Sequence, residues 1–325
     1  MRKARKGREY APKIELHCHL DGSLTLQTVR ELLGREVSLE ELQVQEPCEN
    51  LETYLEKFEL PIRCLQTEKG LEVASFRFLE EVAKEQICYI EVRFAPLLSV
   101  NEKLSCQKVI ESVLRGLERG KQAYGVGYNV IVCTMRHHTY AQNLEMMKVA
   151  REFLGQGVVA VDLAGNEAAF PMTEFKELFA KAKEWEFPFT IHAGECGSVD
   201  NVIEAISYGA KRIGHGIALK GHTQVQQWCK EKQIGIELCP TSNMQTKAVS
   251  SPKEYPILEF LENELCVTIN TDNRMVSNTT MDKEIAFVKR NYGIGDEAIQ
   301  QMMRTAVEIS FASEEEKDDL RTLID

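Results

Sequence analysis

The feature that most constrains this chain is a recurring alternation of short apolar runs with amphipathic helical stretches. The runs are 13–20 (KIELHCHL), 87–96 (ICYIEVRFAP), 128–135 (YNVIVCTM), 157–165 (GVVAVDLAG), 187–195 (FPFTIHAGE), 212–216 (RIGHG), 235–243 (GIELCPTSN) and 266–273 (CVTINTDN). Most are continuous rather than strictly alternating, as parallel strands buried on both faces require. Helical patterns at 105–124, 142–155, 173–185, 198–209, 223–233 and 254–264 separate them. Eight such units predict an α/β fold with one closed (β/α)8 barrel of the TIM type; an open doubly wound sheet is the structural alternative. The stretch 25–85 is longer than one crossover and reads as mainly helical. Extra helices therefore follow the first strand, over the barrel mouth where active sites lie.

Composition permits this. A chain of 325 residues with 43% hydrophobic content can fill one large barrel core. The expected organisation is a single domain over 11–325 behind a flexible basic tail over 1–10 (MRKARKGREY). A net charge of −11 argues against a nucleic acid polymer as partner, because an acidic surface repels a phosphate backbone. No apolar stretch is long enough to span a bilayer, and no apolar signal core follows the basic start. The ten cysteines contain no Cys-x-x-Cys pair, and several lie inside apolar runs. They read as free thiols in a reducing compartment. A cytoplasmic location, no membrane association and no obligate protein partner are expected.

Polar chemistry concentrates at strand ends, which converge on one mouth in a barrel. His17 and His19 are two apart on a strand and so point the same way, while Cys18 points to the opposite side. His192 ends the fifth run and Asp272 ends the eighth. Three neutral imidazoles and a carboxylate suit zinc, with room left for water. Glu195 lies three residues beyond His192, where a carboxyl near a metal can act as general acid or base. His215, between Gly214 and Gly216, can serve as a further ligand or as a base on a metal-activated water; the residues alone leave both open. No lysine ends the fourth run, which favours one metal over a lysine-bridged pair. The paired-cysteine deaminase signature and the phosphate-binding glycine loops are absent. Leu51, Tyr54, Leu55 and Phe58 share one helix face, and the spacing fits a core stripe as well as a functional surface. His137, His138 and His222 carry no role that their positions argue.

These motifs resemble the adenosine deaminase family of the amidohydrolase superfamily, in its bacterial type. The resemblance rests on Glu15-Leu16-His17-Cys18-His19-Leu20-Asp21-Gly22, Glu91-Val92-Arg93, Asp162-Leu163-Ala164-Gly165 and His192-Ala193-Gly194-Glu195. It continues through Gly214-His215-Gly216, Cys239-Pro240-Thr241-Ser242-Asn243 and Asn270-Thr271-Asp272, spanning about Pro12 to Phe311. It implies that His17, His19, His192 and Asp272 hold one zinc ion per chain, completed by a water. It further implies that His215 orients and helps deprotonate that water, and that Glu195 protonates the purine N1. Gly165 would supply a backbone donor to N3, and Asp21, with His19 nearby, would hold a ribose hydroxyl. Leu51, Tyr54, Leu55 and Phe58 would form a hydrophobic lid. The implied activity is hydrolytic deamination of adenosine, and also 2'-deoxyadenosine, to inosine and ammonia in purine salvage. The animal members follow the aspartate ligand with a second aspartate that contacts N7; here Asn273 and Arg274 follow. An amide always carries donor hydrogens, so Asn273 suits the N7 acceptor.

The nearest alternative is deamination of another aminopurine, free adenine or 6-aminodeoxyfutalosine. The adenine branch resembles His-x-His-x-Glu-Gly, whereas this chain has Asp21 before Gly22, which favours a nucleoside. A two-metal amide or ester hydrolase on the same barrel is a further alternative. A nucleoside-binding relative without catalysis is the last, and it would lack a catalytic group. This chain retains His17, His19, His192, Glu195, His215 and Asp272.

Overall fold

The eight apolar runs are eight strands in the computed structural model, which describes residues 12–45 and 51–325. The tail expected over 1–10 lies outside the described residues. The strands are β1 (Lys13–His19), β2 (Ile87–Phe94), β3 (Gly127–Met135), β4 (Val158–Ala164), β5 (Thr190–Ala193), β6 (Arg212–His215), β7 (Gly235–Leu238) and β8 (Cys266–Ile269). Neighbours in sequence pair in parallel, in the orders β1-β2-β3-β4 and β5-β6-β7-β8.

Two seams join these halves. At the first, Val161 bridges Phe189 just before β5, and its N–H donates to the Pro188 carbonyl at 2.9 Å. At the second, Cys18 bridges Asp272 beyond β8. There His19 N–H donates to the Asp272 carbonyl at 2.7 Å, and Asp272 N–H to the His17 carbonyl at 2.9 Å. The result is an α/β barrel of the TIM type, with helices outside and strand C-terminal ends at one mouth.

Helices return the chain between strands at Cys106–Tyr124, Tyr140–Arg151, Lys176–Glu184, Val199–Tyr208, Thr223–Glu231 and Ile257–Glu262. Several start where a hydroxyl accepts an orphan backbone N–H, as Ser105, Thr139 and Ser198 do. The seventh run is shorter than its apolar length predicts. β7 stops at Leu238 because Pro240, which cannot donate to a ladder, opens a helix over Pro240–Gln245. That helix places Ser242 and Asn243 over the mouth. Between β1 and β2 lie Leu26–Leu33, Leu51–Glu56, Glu59–Cys64 and the crossover helix Glu68–Lys84, as the long gap predicts.

The apolar core lies mainly between strands and helices. The barrel interior is different: Glu91, Arg93, Asp162, Arg212 and Glu237 are all 0% exposed. They sit on β2, β4, β6 and β7, so the strands carry a charged lining that supports the mouth from below. On the outside, helices Glu68–Lys84 and Cys106–Tyr124 pack closely through Gly116. A Cβ there would sit 2.3 Å from the Glu72 carbonyl oxygen. Gly116→Ala should therefore lower stability by about 1–3 kcal/mol, the usual cost of overpacking. A chemical denaturation midpoint equal to that of the parent would refute this.

Candidate active site

The site is built on buried charges that fix imidazole rings. Glu237 on β7 accepts from Arg93 Nη2 at 2.8 Å, Arg212 Nε at 2.6 Å and Thr190 Oγ1 at 3.0 Å. Burial alone would raise its carboxyl pKa, but the Arg93 and Arg212 guanidiniums hold it well below the usual range. This ionised carboxylate lies 2.7 Å from His17 Nδ1. A carboxylate only accepts, so Nδ1 carries the hydrogen and Nε2 is left as a lone pair. His192 also faces a buried carboxylate. Its Nδ1 lies 2.9 Å from Asp162 Oδ2, which also accepts from Arg93 at 2.8 Å.

The freed nitrogens converge. His17 Nε2 lies 3.3 Å and His19 Nε2 3.4 Å from Asp272 Oδ1. His19 Nε2 and His192 Nε2 are 3.1 Å apart. His17, His192, His215 and Asp272 each offer a ligand atom within 4.8 Å of the others, all buried, and this group could hold a metal ion. His19, which the sequence places among the ligands, falls outside that set but approaches two of its members. The donor set fits a cation: His17 Nε2 is buried with no hydrogen-bond partner, and three other electron-rich atoms surround it. Burial would raise Asp272, yet the facing imidazoles, His17 foremost, hold it well below the usual carboxylate range. Ser242 donates to its second oxygen at 2.6 Å.

His215 differs from the other rings. Its Nδ1 faces Asn243 Nδ2 at 3.0 Å, and Tyr255 donates to Asn243 Oδ1 at 3.2 Å. The amide therefore presents N–H to the ring. Burial and the charge of His17 push His215 well below the ordinary histidine pKa, so the ring is neutral with its hydrogen on Nε2. His215 and Asp272 share a left-handed backbone at φ 66° and 60°, unusual for residues with side chains. Strained backbone of this kind clusters at functional sites.

Glu195 stands opposite, its Oε2 3.7 Å from His215 Nε2 and its Oε1 accepting from Thr246 at 2.9 Å. Burial first, then the nearby Asp272 charge, pushes its carboxyl up to about 7. Its turn is anchored by Glu167, which accepts backbone N–H from Gly194, Glu195 and Cys196 at 2.6, 2.9 and 3.0 Å. Asp21, pushed up by burial to about 6, has a buried Oδ1 with no hydrogen-bond partner.

A cavity of about 310 Å³ joins these groups, at the small end of small-molecule pockets. It is lined by His19, Asp21, His192, Glu195, His215, Asp272 and Asn273, with Gly165 at φ +106° on one wall. Tyr54, Leu55, Phe58 and Ile62 close another side from the inserted helices. The apolar stripe read from spacing thus faces the cavity, except that the Leu51 side chain lies outside the described residues. His17 is in the His/Asp cluster beneath, which could hold a metal ion. His137 also lines the cavity, although its position in the sequence suggested no role.

With this geometry in place, comparison with known proteins decides the family. The family model described as adenosine deaminase matches residues 12–325. The chain belongs to the adenosine deaminase family. A relative named adenosine deaminase from Enterococcus faecalis is 42% identical over 323 residues, covering 97% of this chain and 96% of its own. Among solved structures, the N6-methyl-AMP deaminase from Arabidopsis thaliana superimposes with a TM-score of 0.85 at 25% identity, covering 97% and 96% of the two chains. The adenine deaminase from Arthrobacter aurescens gives 0.87 at 22% identity over 97% and 98%, a likeness of fold. As an adenosine deaminase family member the chain is a hydrolase on a TIM-type barrel.

Sequence reasoning named most of the titratable groups facing the cavity but gave no role to His137 and Thr246, which also line it, or to the groups behind. Glu237, Asp162, Arg93, Glu167, Asn243 and Thr246 had no assigned roles. The available signal was a charged residue embedded in an apolar strand, as in Gly235-Ile236-Glu237-Leu238. In a family member that binds a metal through His192, Asp162→Asn should weaken divalent-metal affinity about 10- to 100-fold, because the carboxylate orients the ring. Competition against a calibrated chelator measures this, and an unchanged affinity would remove Asp162 from the site.

Proposed function

We propose that this chain deaminates adenosine, and 2'-deoxyadenosine, hydrolytically to inosine or deoxyinosine and ammonia, in purine salvage, using one zinc ion. One observation carries the reading. In a member of this family, a carboxyl poised near neutrality, Glu195, faces a His/Asp cluster across a cavity of nucleoside size.

His17, His19, His192 and Asp272 would hold the ion, and borderline nitrogen and oxygen donors in a tetrahedral-to-five-coordinate set suit zinc. When bound, zinc would lower the pKa of a water from about 15.7 toward about 7 and supply the nucleophile for C6 of the purine. His215, held by Asn243 at its Nδ1, would orient that water. Glu195 gives its proton to N1, relieving the charge that builds on the ring as C6 is attacked. The amine then takes the proton of the new C6 hydroxyl and leaves as ammonia as the C6–N bond breaks and the C6 carbonyl forms. Gly165 offers its backbone N–H to N3, and Asn273 an amide N–H to N7. Asp21, with His19 nearby, accepts from a ribose hydroxyl, for which its unpartnered Oδ1 is the acceptor. Leu55 and Phe58, beside Tyr54, cover the nucleoside and exclude water. Among the described residues no helix is long and apolar enough to cross a membrane.

The deciding experiment presents purified enzyme with adenosine, adenine and 6-aminodeoxyfutalosine in parallel and follows the aminopurine ultraviolet band. Rapid loss with adenosine alone is expected; rapid loss only with another aminopurine would move the specificity. Glu195→Gln should lower kcat by about 10²- to 10⁴-fold, the ordinary worth of a positioned acid. The sign with pH follows from the raised carboxyl. Its acid form is full well below pH 7 and is lost as pH rises through about 7, so activity falls on the alkaline side. An alkaline limb that persists in Glu195→Gln would belong to another group. Asp21→Ala should weaken adenosine far more than adenine, whereas equal losses would count against the ribose contact.

A further inference from the structure

Asn273 has two faces, and only one of them can donate. On an amide the oxygen and nitrogen ends are nearly the same shape, so something must decide which end meets the substrate. In this protein the carbonyl end is tucked against Gly22, where an added Cβ would lie 2.0 Å from Oδ1. That oxygen is buried and has no hydrogen-bond partner. The nitrogen end donates to Tyr54 Oη at 3.0 Å. Both residues are buried, Tyr54 at 2% and Asn273 at 5% exposed, and both line the cavity.

The neighbours of Tyr54 explain why its oxygen accepts. Ser277 Oγ lies 2.7 Å from Tyr54 Oη. Ser242 Oγ lies farther, at 3.5 Å, and has its own hydrogen committed to Asp272 Oδ2 at 2.6 Å. The Tyr54 hydrogen therefore goes to Ser277, and a lone pair remains for the amide. A reversed Asn273 would press its N–H groups against Gly22 and offer its carbonyl to a hydroxyl whose hydrogen is already in use.

We propose that Tyr54 is a specificity-determining positioning residue: its hydroxyl turns the Asn273 amide so that an N–H, and not the carbonyl, faces the N7 edge of a bound purine. One amide hydrogen goes to Tyr54 and the other is left for N7. This rests on the adenosine reading above and on Asn273 as the N7 partner. It gives the inserted helix Leu51–Glu56 a second task. Besides covering the cavity with Leu55, the helix carries the hydroxyl that sets the polarity of recognition. Acceptor recognition at N7 thus depends on a residue that does not itself touch N7.

The test compares inosine with 7-deazainosine as competitive inhibitors of adenosine turnover in parent, Tyr54→Phe and Ser277→Ala enzymes. The two inhibitors differ at the position Asn273 reads, since a C–H replaces the N7 acceptor. The parent should favour inosine. Tyr54→Phe, which keeps the ring and removes only the hydroxyl, should lose roughly three- to tenfold of that preference, the worth of one neutral hydrogen bond. The loss should appear through weaker inosine binding and a higher KM for adenosine, with 7-deazainosine little changed. Ser277→Ala should shift the ratio in the same direction, because it frees the Tyr54 hydrogen to meet the amide oxygen. A merely structural Tyr54 would weaken both inhibitors equally, and that result would overturn the proposal. So would an unchanged ratio in a Tyr54→Phe enzyme that still turns over adenosine. Failure of the parent to deaminate adenosine would instead overturn the substrate reading, and this proposal with it.

Discussion

Everything at the mouth of this barrel depends on one buried carboxylate, Glu237. It takes two guanidinium donors, a threonine hydroxyl and an imidazole N–H in a space with no exposure to solvent. A buried charge without partners is strongly unfavourable, and two arginines sharing one glutamate would be equally so without Glu91 and Asp162. The five side chains therefore hold one another in place across β2, β4, β6 and β7. Their reward is orientation rather than stability. By fixing the hydrogen of His17 on Nδ1 and setting Asp162 against His192 Nδ1, the network turns both rings toward Asp272.

Two of the three carboxyl groups lining the cavity have opposite fates. Asp272 is held ionised by imidazoles on several sides, while Glu195 is pushed toward the neutral acid by burial and by the Asp272 charge itself. Separating paired titratable groups in this way is how one site can run both halves of an acid–base reaction near neutral pH. Glu167 contributes by geometry: three successive amides bind its carboxylate, so the turn carrying Glu195 has little freedom.

Much of this was legible in the sequence, for a physical reason. Parallel buried strands need continuous apolar runs, so a histidine or aspartate at the end of such a run stands out, as His17, His192 and Asp272 do. The outer helices were equally readable from spacing. What stayed hidden was anything set by contacts between distant strands. Nothing local in Ile236-Glu237-Leu238 says that the glutamate meets Arg93, Arg212 and His17. Pattern reading also extended β7 through Asn243, although Pro240 ends the ladder and begins the helix that brings Ser242 and Asn243 over the mouth. The spacing of Tyr54 and Phe58 predicted one helix face, whereas the helix ends at Glu56 and Phe58 caps the next one, and it could not reveal that the Tyr54 hydroxyl reaches Asn273.

The two seams of the barrel have a consequence for how it holds together. Each seam is a narrow join, and the convergent side chains stand across both. His17 and His19 come from one half and Asp272 from the other, while the Asp162–His192 pair spans the opposite join. An ion gripped by this set would act as a clasp between two four-stranded halves. Its binding energy would then count toward keeping the cylinder shut, because whatever binds only the closed form stabilises it. Occupancy and mechanical integrity would become a single quantity, and a chain stripped of its ion would first loosen along these two lines.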